Sequence, residues 1–240
     1  MTTQIPIALQ RDFWNRWNAE TREQNLDEIS ERQARVVLGW LADTGRTDLD
    51  ILEVGCGAGW LCRDLARFGR VTGTDLSDEV LERARARTPQ ASFVAGDFMD
   101  LDLGRERHDV VVTLEVLSHI ADQQAFAARL ARMLRPGGLL MLATQNRPVL
   151  QRYNNIAAPQ PGQLRNWVDR AELERLLAPH FHVERLFSVT PRASRGLMRL
   201  VNSRTLNRPI RAIAGDRFDR LKERLGFGWT LMALARKRGT

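Results

Sequence analysis

The sequence predicts an α/β fold with a doubly wound, mostly parallel sheet of seven strands. Short apolar runs alternate with helical patterns along residues 46–190, which is the order expected of such a sheet. The run at residues 109–114 is almost continuously apolar, as in a parallel strand buried on both faces. The run at residues 51–54 leads directly into three glycines within five residues. Such a turn at the carboxyl end of a strand indicates a ligand site.

The predicted elements follow one another with short connections until residue 145. The predicted helices cover residues 11–44, 60–68, 78–87, 123–134 and 169–177. The predicted strands cover residues 51–54, 70–75, 91–98, 109–114, 139–144, 182–189 and 229–235. Pro136-Gly137-Gly138 is expected to end the fourth helix, and Asp169 is placed to cap the fifth.

A chain of 240 residues is long enough for one domain with a full core, and we expect a single domain. Its predicted parts are an N-terminal helical cap (1–45), a core (46–190), a basic helical insertion before the last strand (191–227), and the last strand with a tail (228–240). Trp14 and Trp17 in the cap either form part of a lid over the ligand or pack on the edge of the sheet.

The composition is that of a soluble globular protein, with 43% hydrophobic and 27% charged residues. No apolar run approaches the ~20 residues of a membrane-spanning helix, and the N-terminus lacks the pattern of a signal peptide. Cys56 and Cys62 flank the glycine loop, and we expect small core residues rather than a disulfide or a metal pair. These features predict a protein that is either free in the cytoplasm or peripheral at the inner membrane surface.

The spacing of the glycines and the acid before them discriminate between nucleotide ligands. Gly55, Gly57 and Gly59 are spaced G-x-G-x-G, whereas a dinucleotide-binding loop reads G-x-G-x-x-G. A triphosphate loop is excluded because it ends in Gly-Lys, and no lysine precedes Lys222. The carboxylate of Glu53 would repel a phosphate but would suit a ligand that carries an ammonium and a sulfonium. S-adenosylmethionine is such a ligand.

Acidic residues also end the second and third predicted strands. Asp75 lies about 20 residues past the first glycine, where a carboxylate can accept hydrogen bonds from both ribose hydroxyls, with Leu76 beside it. Asp97 is placed to accept from an adenine amino group, with Phe98 beside the ring. The three strand ends together predict a complete site for S-adenosylmethionine.

The stretches ILEVGCGAGW, VTGTDLS, FVAGDF, HDVVVTLEVLSHI and MLRPGGLLMLAT resemble the class I S-adenosylmethionine-dependent methyltransferases. The resemblance is strongest to the small-molecule branch that includes the ubiquinone-biosynthesis O-methyltransferases. It covers residues 50–145 well and continues more loosely to about residue 190. It implies a Rossmann-like methyltransferase fold, with S-adenosylmethionine as the cofactor. The acceptor it implies is a small or lipid-linked molecule, with a hydroxyl oxygen favoured. The cofactor-binding residues that it implies are Glu53, Gly55, Gly57, Gly59, Asp75, Leu76, Asp97, Phe98 and Glu115.

His119 is the candidate general base, because it follows the fourth predicted strand at the carboxyl edge of the sheet. Similar small-molecule methyltransferases often read E-V-L-E-H here, and that pattern can bind a divalent metal or position a base. This chain has Ser118 in place of the second glutamate, so we expect no metal. A purely structural role for His119, fixing the start of a helix, is the alternative. We expect His108, His180 and His182 to be surface or hydrogen-bonded structural residues.

Residues 145–167 are too long and irregular for a simple connection, and they follow a strand at the ligand-binding edge. We therefore expect them to form part of the acceptor pocket, with ordinary loop packing as the alternative for each residue. The substrate-contact candidates are Asn146, Tyr153, Arg165 and Trp167, and Gln145 and Arg147 leave the fifth strand near the same cleft.

The positive charge is concentrated in one segment. Residues 192–224 contain ten basic and three acidic side chains, a net charge of +7 that equals that of the whole chain. The segment is interpreted as a solvated surface, as a contact for an acidic substrate or an anionic membrane surface, or as a nucleic-acid contact. Nucleic acid is disfavoured, because base-modifying amino methyltransferases usually carry an Asn/Asp-Pro-Pro-Tyr/Phe motif, and Leu114-Glu115-Val116-Leu117 stands in its place.

The favoured function is therefore methyl transfer from S-adenosylmethionine to a small-molecule acceptor. The alternatives are N- or C-methylation, an RNA substrate, or a partner protein that binds the cofactor without catalysis.

Overall fold

The structure, a computed structural model, describes residues 5–22, 27–196, 199 and 217–239. The strands are β1 (Leu49–Val54), β2 (Gly69–Asp75), β3 (Ser92–Ala95), β4 (His108–Leu114), β5 (Leu134–Gln145), β6 (Phe181–Pro191) and β7 (Gly228–Lys237). The α-helices are α1 (Ile7–Trp17), α2 (Glu28–Asp43), α3 (Cys62–Leu65), α4 (Asp78–Arg87), α5 (Gln123–Met133), α6 (Arg147–Tyr153), α7 (Arg170–Leu177) and α8 (Arg217–Arg224). A π-helical turn, Asn18–Arg22, follows α1, and a 3₁₀ turn, Leu117–His119, follows β4.

The seven strands form one sheet in the order β3-β2-β1-β4-β5-β7-β6, which confirms the predicted architecture. The pairings β1–β2, β1–β4, β2–β3 and β4–β5 are parallel, and β7 runs antiparallel to both of its neighbours. Val54 pairs with Thr74 on one side and with Thr113 on the other, so β1, β2 and β4 end at the same edge. Because β7 is reversed, its first residues lie at that edge as well.

Helices cover both faces of the sheet. On one face, Phe126 and Leu130 of α5 and Leu173 of α7 pack with Phe181 in one buried cluster. On the other, α2, α3 and α4 contribute to a second cluster, the largest members from these helices being Trp40, Leu41, Leu65 and Leu81. Removing this apolar surface from water provides the main driving force for folding.

Side-chain caps fix where several helices begin. The Ser77 hydroxyl accepts from the backbone N–H of Val80 at 3.3 Å, and α4 has the predicted bounds. Asp169 and Glu172 form a capping box at the start of α7, as the sequence indicates. Each such cap contributes roughly 0.5–2 kcal/mol.

Several predicted bounds were wrong. The helix predicted at residues 60–68 is reduced to α3, because Gly57 and Gly59 have φ values of 53° and 70° and the chain turns before it. The single helix predicted at residues 11–44 is two helices, and Asp27 caps the second by accepting from Ser30 at 2.9 Å. Strand β5 begins at Leu134, since Pro136-Gly137-Gly138 lies within an irregular register against β4.

Most of the basic insertion predicted at residues 191–227 lies outside the described residues; within it, the structure describes residues 191–196, 199 and 217–227. Across the described ranges, no helix combines the length and the apolar character needed to cross a membrane.

Candidate active site

A cavity of about 970 Å³ opens at the carboxyl edge of the sheet. Its floor is formed by the ends of β1, β2 and β4, by residues 96–100 after β3, and by the end of β5. Residues of α1 and of the irregular segment 156–167 close it from above. This volume is at the upper end of the ~300–1,000 Å³ of small-molecule sites. The cavity lies where doubly wound sheets bind their ligands.

The glycine loop forms one wall of the cavity with its backbone. Gly55 and Gly57 line it, and both have positive φ values, 73° and 53°. A Cβ atom on Gly55 would collide with Val116 Cγ2, and one on Gly57 would lie 2.9 Å from Asn18 Oδ1. Gly59 does not line the cavity and instead packs against Ala84 of α4. Val116 and Asn18 therefore occupy the space that a β-carbon would take at the first two glycines, and their packing requires glycine in the loop.

Asp75 ties the glycine loop to β2. Its Oδ2 accepts from the backbone N–H of Gly57 at 2.9 Å, and its Oδ1 accepts from that of Ser77 at 3.3 Å. Burial raises the pKa of Asp75 above its ordinary value, and the backbone donors offset this rise only in part. Asp75 and Leu76 both line the cavity, where the sequence predicted them.

Asp97 and Phe98 also line the cavity. The Oδ1 atom of Asp97 accepts from the backbone N–H of Met99 at 2.9 Å, which orients the carboxylate. Phe98 packs edge-on against Phe126, with ring centroids 5.5 Å apart. The ends of β2 and β3 thus bring the two predicted acids to one cavity.

Glu53 does not reach the cavity wall, contrary to expectation. Its side chain is buried behind the glycine loop, where the thiol of Cys62 donates to Oε2 at 3.0 Å. The hydrogen bond with Cys56 and burial both raise the pKa of Cys62, so this thiol stays protonated and can donate. Cys56 and Cys62 are buried free thiols, which confirms their predicted place in the core.

Glu115 lines the cavity and also connects the elements around it. Its φ is 65°, a left-handed conformation that is uncommon for a residue with a side chain. Its Oε1 accepts from Gln33 Nε2 at 2.5 Å and from Thr230 Oγ1 at 3.0 Å. Glu115 therefore ties α2 and β7 to the end of β4. Unusual backbone of this kind is concentrated at functional sites.

His119 lines the same cavity and has a defined tautomer. Its Nδ1 lies 2.7 Å from the carbonyl oxygen of Leu164. A carbonyl oxygen only accepts, so Nδ1 carries the proton and Nε2 is the basic nitrogen. The Trp14 ring lies over the imidazole, with centroids 4.4 Å apart. Burial lowers the pKa of His119 to about 4, so the ring is neutral at pH 7.

Two of the four predicted substrate-contact residues line the cavity, namely Arg165 and Trp167. Nε and Nη2 of Arg165 donate to Gln163 Oε1 at 3.1 and 2.7 Å. The Arg165 guanidinium also lies over the Trp167 ring, 5.7 Å from its centroid. Gln145 lines the cavity as well.

The other two candidates were wrong in position. Asn146 is buried, and its Nδ2 donates to the carbonyls of Gly226 and Gly228 at 3.0 and 2.8 Å, which joins β5 to the start of β7. Tyr153 packs edge-on against Phe227 at 6.1 Å and is not in the wall. Arg147, at the same strand end, is paired with Asp169 at 2.7 Å.

Some residues of the cavity were missed from the sequence. Arg192 and Trp229 line it, and so does Asn18. Trp229 begins the last predicted strand, and recognition that this strand is reversed would have placed it at the correct edge. No local signal identifies Asn18, because its contact with the glycine loop joins distant parts of the chain.

The remaining histidines lie away from this site. His108 starts β4 at the opposite edge, as expected, but it is buried and neither ring nitrogen has a hydrogen-bond partner among the described residues. The expectation of a surface or hydrogen-bonded residue was therefore wrong for His108. Within the ranges that the structure describes, no three His, Cys, Asp or Glu side chains are grouped to hold a metal ion.

Comparison with known proteins identifies the fold and the domain. Residues 52–142 match the family model described as a methyltransferase domain. The ubiquinone biosynthesis O-methyltransferase of Mesorhizobium japonicum is 38% identical over 104 residues, 41% of this chain and 42% of that protein. The corresponding enzyme of Brucella ovis is 34% identical over 147 residues, 58% of each chain. The matched region thus spans about half the length of these relatives.

Solved structures resemble the chain over nearly its whole length. The N-methyltransferase NodS of Bradyrhizobium japonicum, in complex with S-adenosylhomocysteine, has a TM-score of 0.64 and 17% identity over 95% of this chain and 98% of that one. The 1,6-didemethyltoxoflavin-N1-methyltransferase of Burkholderia thailandensis has a TM-score of 0.64 and 21% identity, over 96% of this chain and 88% of that one. At these identities the likeness establishes the fold alone.

Proposed function

We propose that the protein transfers the methyl group of S-adenosylmethionine to a small-molecule acceptor, at a hydroxyl oxygen, because residues 52–142 match a methyltransferase domain. The observation that supports the proposal most is the neutral imidazole of His119 in the same cavity as the glycine loop, Asp75 and Asp97. The same cavity would then contain both the residues that bind the cofactor and the general base.

The residues present fit the cofactor. Gly55 and Gly57 line the cavity with backbone in the left-handed region, which glycine adopts without strain. Asp75 would hold the ribose hydroxyls beside Leu76, and Asp97 with Phe98 would hold the adenine. Glu115 borders the methionine end. Glu53 would act from behind the loop, by fixing its position, rather than by contact.

When bound, S-adenosylmethionine supplies a methyl group on a sulfonium leaving group, so the protein mainly has to position the acceptor. Orientation of this kind contributes up to roughly 7–11 kcal/mol to rate enhancement. His119 Nε2 would accept the hydroxyl proton, since Nδ1 is held on Leu164. General-base catalysis adds about 10²–10⁴-fold to the rate.

A hydroxyl oxygen is favoured over nitrogen or carbon for two reasons. Relatives that are 38% and 34% identical over parts of this chain are named ubiquinone biosynthesis O-methyltransferases. A hydroxyl also needs a base to become nucleophilic, whereas a neutral amine needs none. N- or C-methylation is the alternative within enzymes, and a cofactor-binding protein without catalysis is the alternative outside them.

The test is methyl transfer from radiolabelled S-adenosylmethionine to a panel of hydroxylated aromatic compounds, run beside their fully methylated ethers. Label is expected to enter the hydroxyl compounds alone.

Asp75→Asn should weaken S-adenosylhomocysteine binding about 10–100-fold in calorimetry, because charge-assisted hydrogen bonds are lost. Asp78→Asn, an exposed acid on α4 outside the cavity, is the matched control and should bind normally. Unchanged affinity in Asp75→Asn would contradict the cofactor assignment, and label in the ethers would contradict oxygen.

We also propose that residues 192–224 contact an anionic membrane surface. The segment carries a net charge of +7. In its described part, α8 turns Lys222 and Glu223 inward and leaves Leu221 and the following Leu225 51% and 62% exposed. These two leucines are four residues apart and share one helix face. Basic side chains beside exposed apolar ones are typical of helices that lie on anionic membranes.

A further inference from the structure

Two arginine–tryptophan pairs line the acceptor end of the cavity. The Arg165 guanidinium lies 5.7 Å from the centroid of Trp167, and that of Arg192 lies 5.6 Å from the centroid of Trp229. All four side chains are in the cavity wall. Arg165 is partly buried and Arg192 is exposed, so the first pair lies deeper than the second.

The end of β5 brings these two pairs together. The backbone N–H of Asn146 donates to the carbonyl of Trp229 at 2.8 Å. Asn146 also pairs with Val168, which follows Trp167. The preceding residue, Gln145, also lines the cavity, and its Oε1 is buried without a hydrogen-bond partner among the described residues. The site thus offers two cations, two aromatic faces and one amide oxygen.

Neither arginine of these pairs is neutralised by an acid in the part of the chain that the structure describes. The hydrogen-bond acceptors of Arg165 are the amide oxygen of Gln163 and the carbonyl of Ala157, which are uncharged. By contrast, Arg147 beside the same strand end is paired with Asp169 at 2.7 Å and with Glu172 at 2.9 Å. A partly buried cation without a counter-ion is costly, so an anionic ligand would be stabilised here.

We propose that the acceptor is an aromatic hydroxy acid. Its carboxylate is held by Arg165 and Arg192, its ring lies against Trp167 and Trp229, and its hydroxyl points toward His119. This inference rests on the proposed methyl transfer and specifies the substrate class for the same cavity. Arg165 directly follows Leu164, whose carbonyl oxygen lies 2.7 Å from His119 Nδ1, so the chain brings this cation close to the base.

The test uses hydroxylated benzoates and naphthoates, each paired with its uncharged amide, with the protein saturated by S-adenosylhomocysteine. At least one acid is expected to bind about tenfold or more tightly than its amide in calorimetry, because its hydrogen bonds are charge-assisted. That preference should disappear in the double variant Arg165→Gln/Arg192→Gln and fall in each single variant. Arg132→Gln, an exposed arginine on α5 outside the cavity, is the control and should keep the preference.

The outcomes separate this inference from the proposed function. Failure of the wild-type protein to bind S-adenosylhomocysteine would refute the proposed function itself. Normal binding of S-adenosylhomocysteine, with no acid preferred over its amide across the panel, would overturn the inference alone. A preference that survives in the double variant would also overturn it. Tighter binding of phenyl phosphate than of every acid would assign the site to a phosphate instead of a carboxylate. Normal S-adenosylhomocysteine affinity in the variants establishes that they are folded.

Discussion

At the scale of single residues, His119 shows how burial and one hydrogen bond define a chemical role. The bond from Nδ1 to Leu164 selects the tautomer, and burial keeps the ring neutral. A pKa of about 4 makes the imidazole a weaker base than an exposed histidine but leaves it unprotonated throughout the physiological range. Burial thus makes Nε2 a weaker base, but it keeps this nitrogen unprotonated and able to accept a proton at physiological pH.

The same shift makes folding stability depend on pH. The pKa of His119 falls from 6.5 to about 4 on folding, so between these values the unfolded chain binds a proton that the folded protein does not. Stability should therefore decrease as the pH falls through this window and be unaffected by His119 above it.

Relative to His119→Gln, the wild-type protein should lose about 2–3 kcal/mol of unfolding free energy between pH 7 and pH 4.5, as measured by urea unfolding. His182→Gln, an exposed histidine, is the control variant and should follow the wild-type curve. Parallel curves for wild type and His119→Gln would show that His119 is not buried as described.

Residue positions were predictable where the fold itself fixes them. Asp75 and Asp97 were placed correctly, because both end parallel strands, and parallel strands end at one edge. Asn146 and Tyr153 were misplaced because their partners are remote in sequence. The side-chain amide of Asn146 donates to the carbonyl oxygens of Gly226 and Gly228. The sequence around residue 146 contains no pattern that indicates these hydrogen bonds. Glu53 was misplaced because a charged residue beside a ligand loop suits a contact and a buried support equally well.

At the scale of elements, α1 and the segment after β5 complete a cavity whose floor is set by the sheet. Trp14 lies on His119, and Asn18, just beyond α1, lies over Gly57. The lid interpretation of Trp14 and Trp17 therefore has geometric support, since both line the cavity. Helix α6 was not predicted, although Pro148 in its first turn is compatible with a helix start.

This geometry makes α1 the element whose stability should respond to the cofactor. Binding adds contacts beneath α1, and elements that close over ligands are usually of low local stability. Amide hydrogen exchange in residues 7–17 should slow at least several-fold when S-adenosylhomocysteine is added. Helix α7, whose residues are not in the cavity wall, is the internal control and should be unaffected. Equal slowing in both helices would indicate global stabilisation, and no slowing in α1 would refute the lid.

At the scale of the whole molecule, the two edges of the sheet have different roles, one structural and one in ligand binding. The edge away from the cavity is held by ion pairs, in which Arg135 joins Asp50 and Asp109 at 2.7 Å each. The carboxyl edge carries the cavity. The charge is divided as well, because residues 192–224 hold a net +7 and the rest of the chain is neutral.

The localised charge predicts how the molecule responds to membranes. The protein should sediment with phosphatidylglycerol vesicles at low salt and be released at high salt, because each basic residue near an anionic surface contributes about 1 kcal/mol and salt screens it. Phosphatidylcholine vesicles should not bind it. Leu221→Ser/Leu225→Ser should reduce the bound fraction several-fold, since Leu221 on α8 and Leu225 directly after it are both exposed. Leu9→Ser, an equally exposed leucine on α1, is the matched control and should bind as the wild type does.

Equal binding to phosphatidylglycerol and phosphatidylcholine vesicles would argue against an electrostatic contact. Absence of binding at low salt would instead assign the basic segment to another partner.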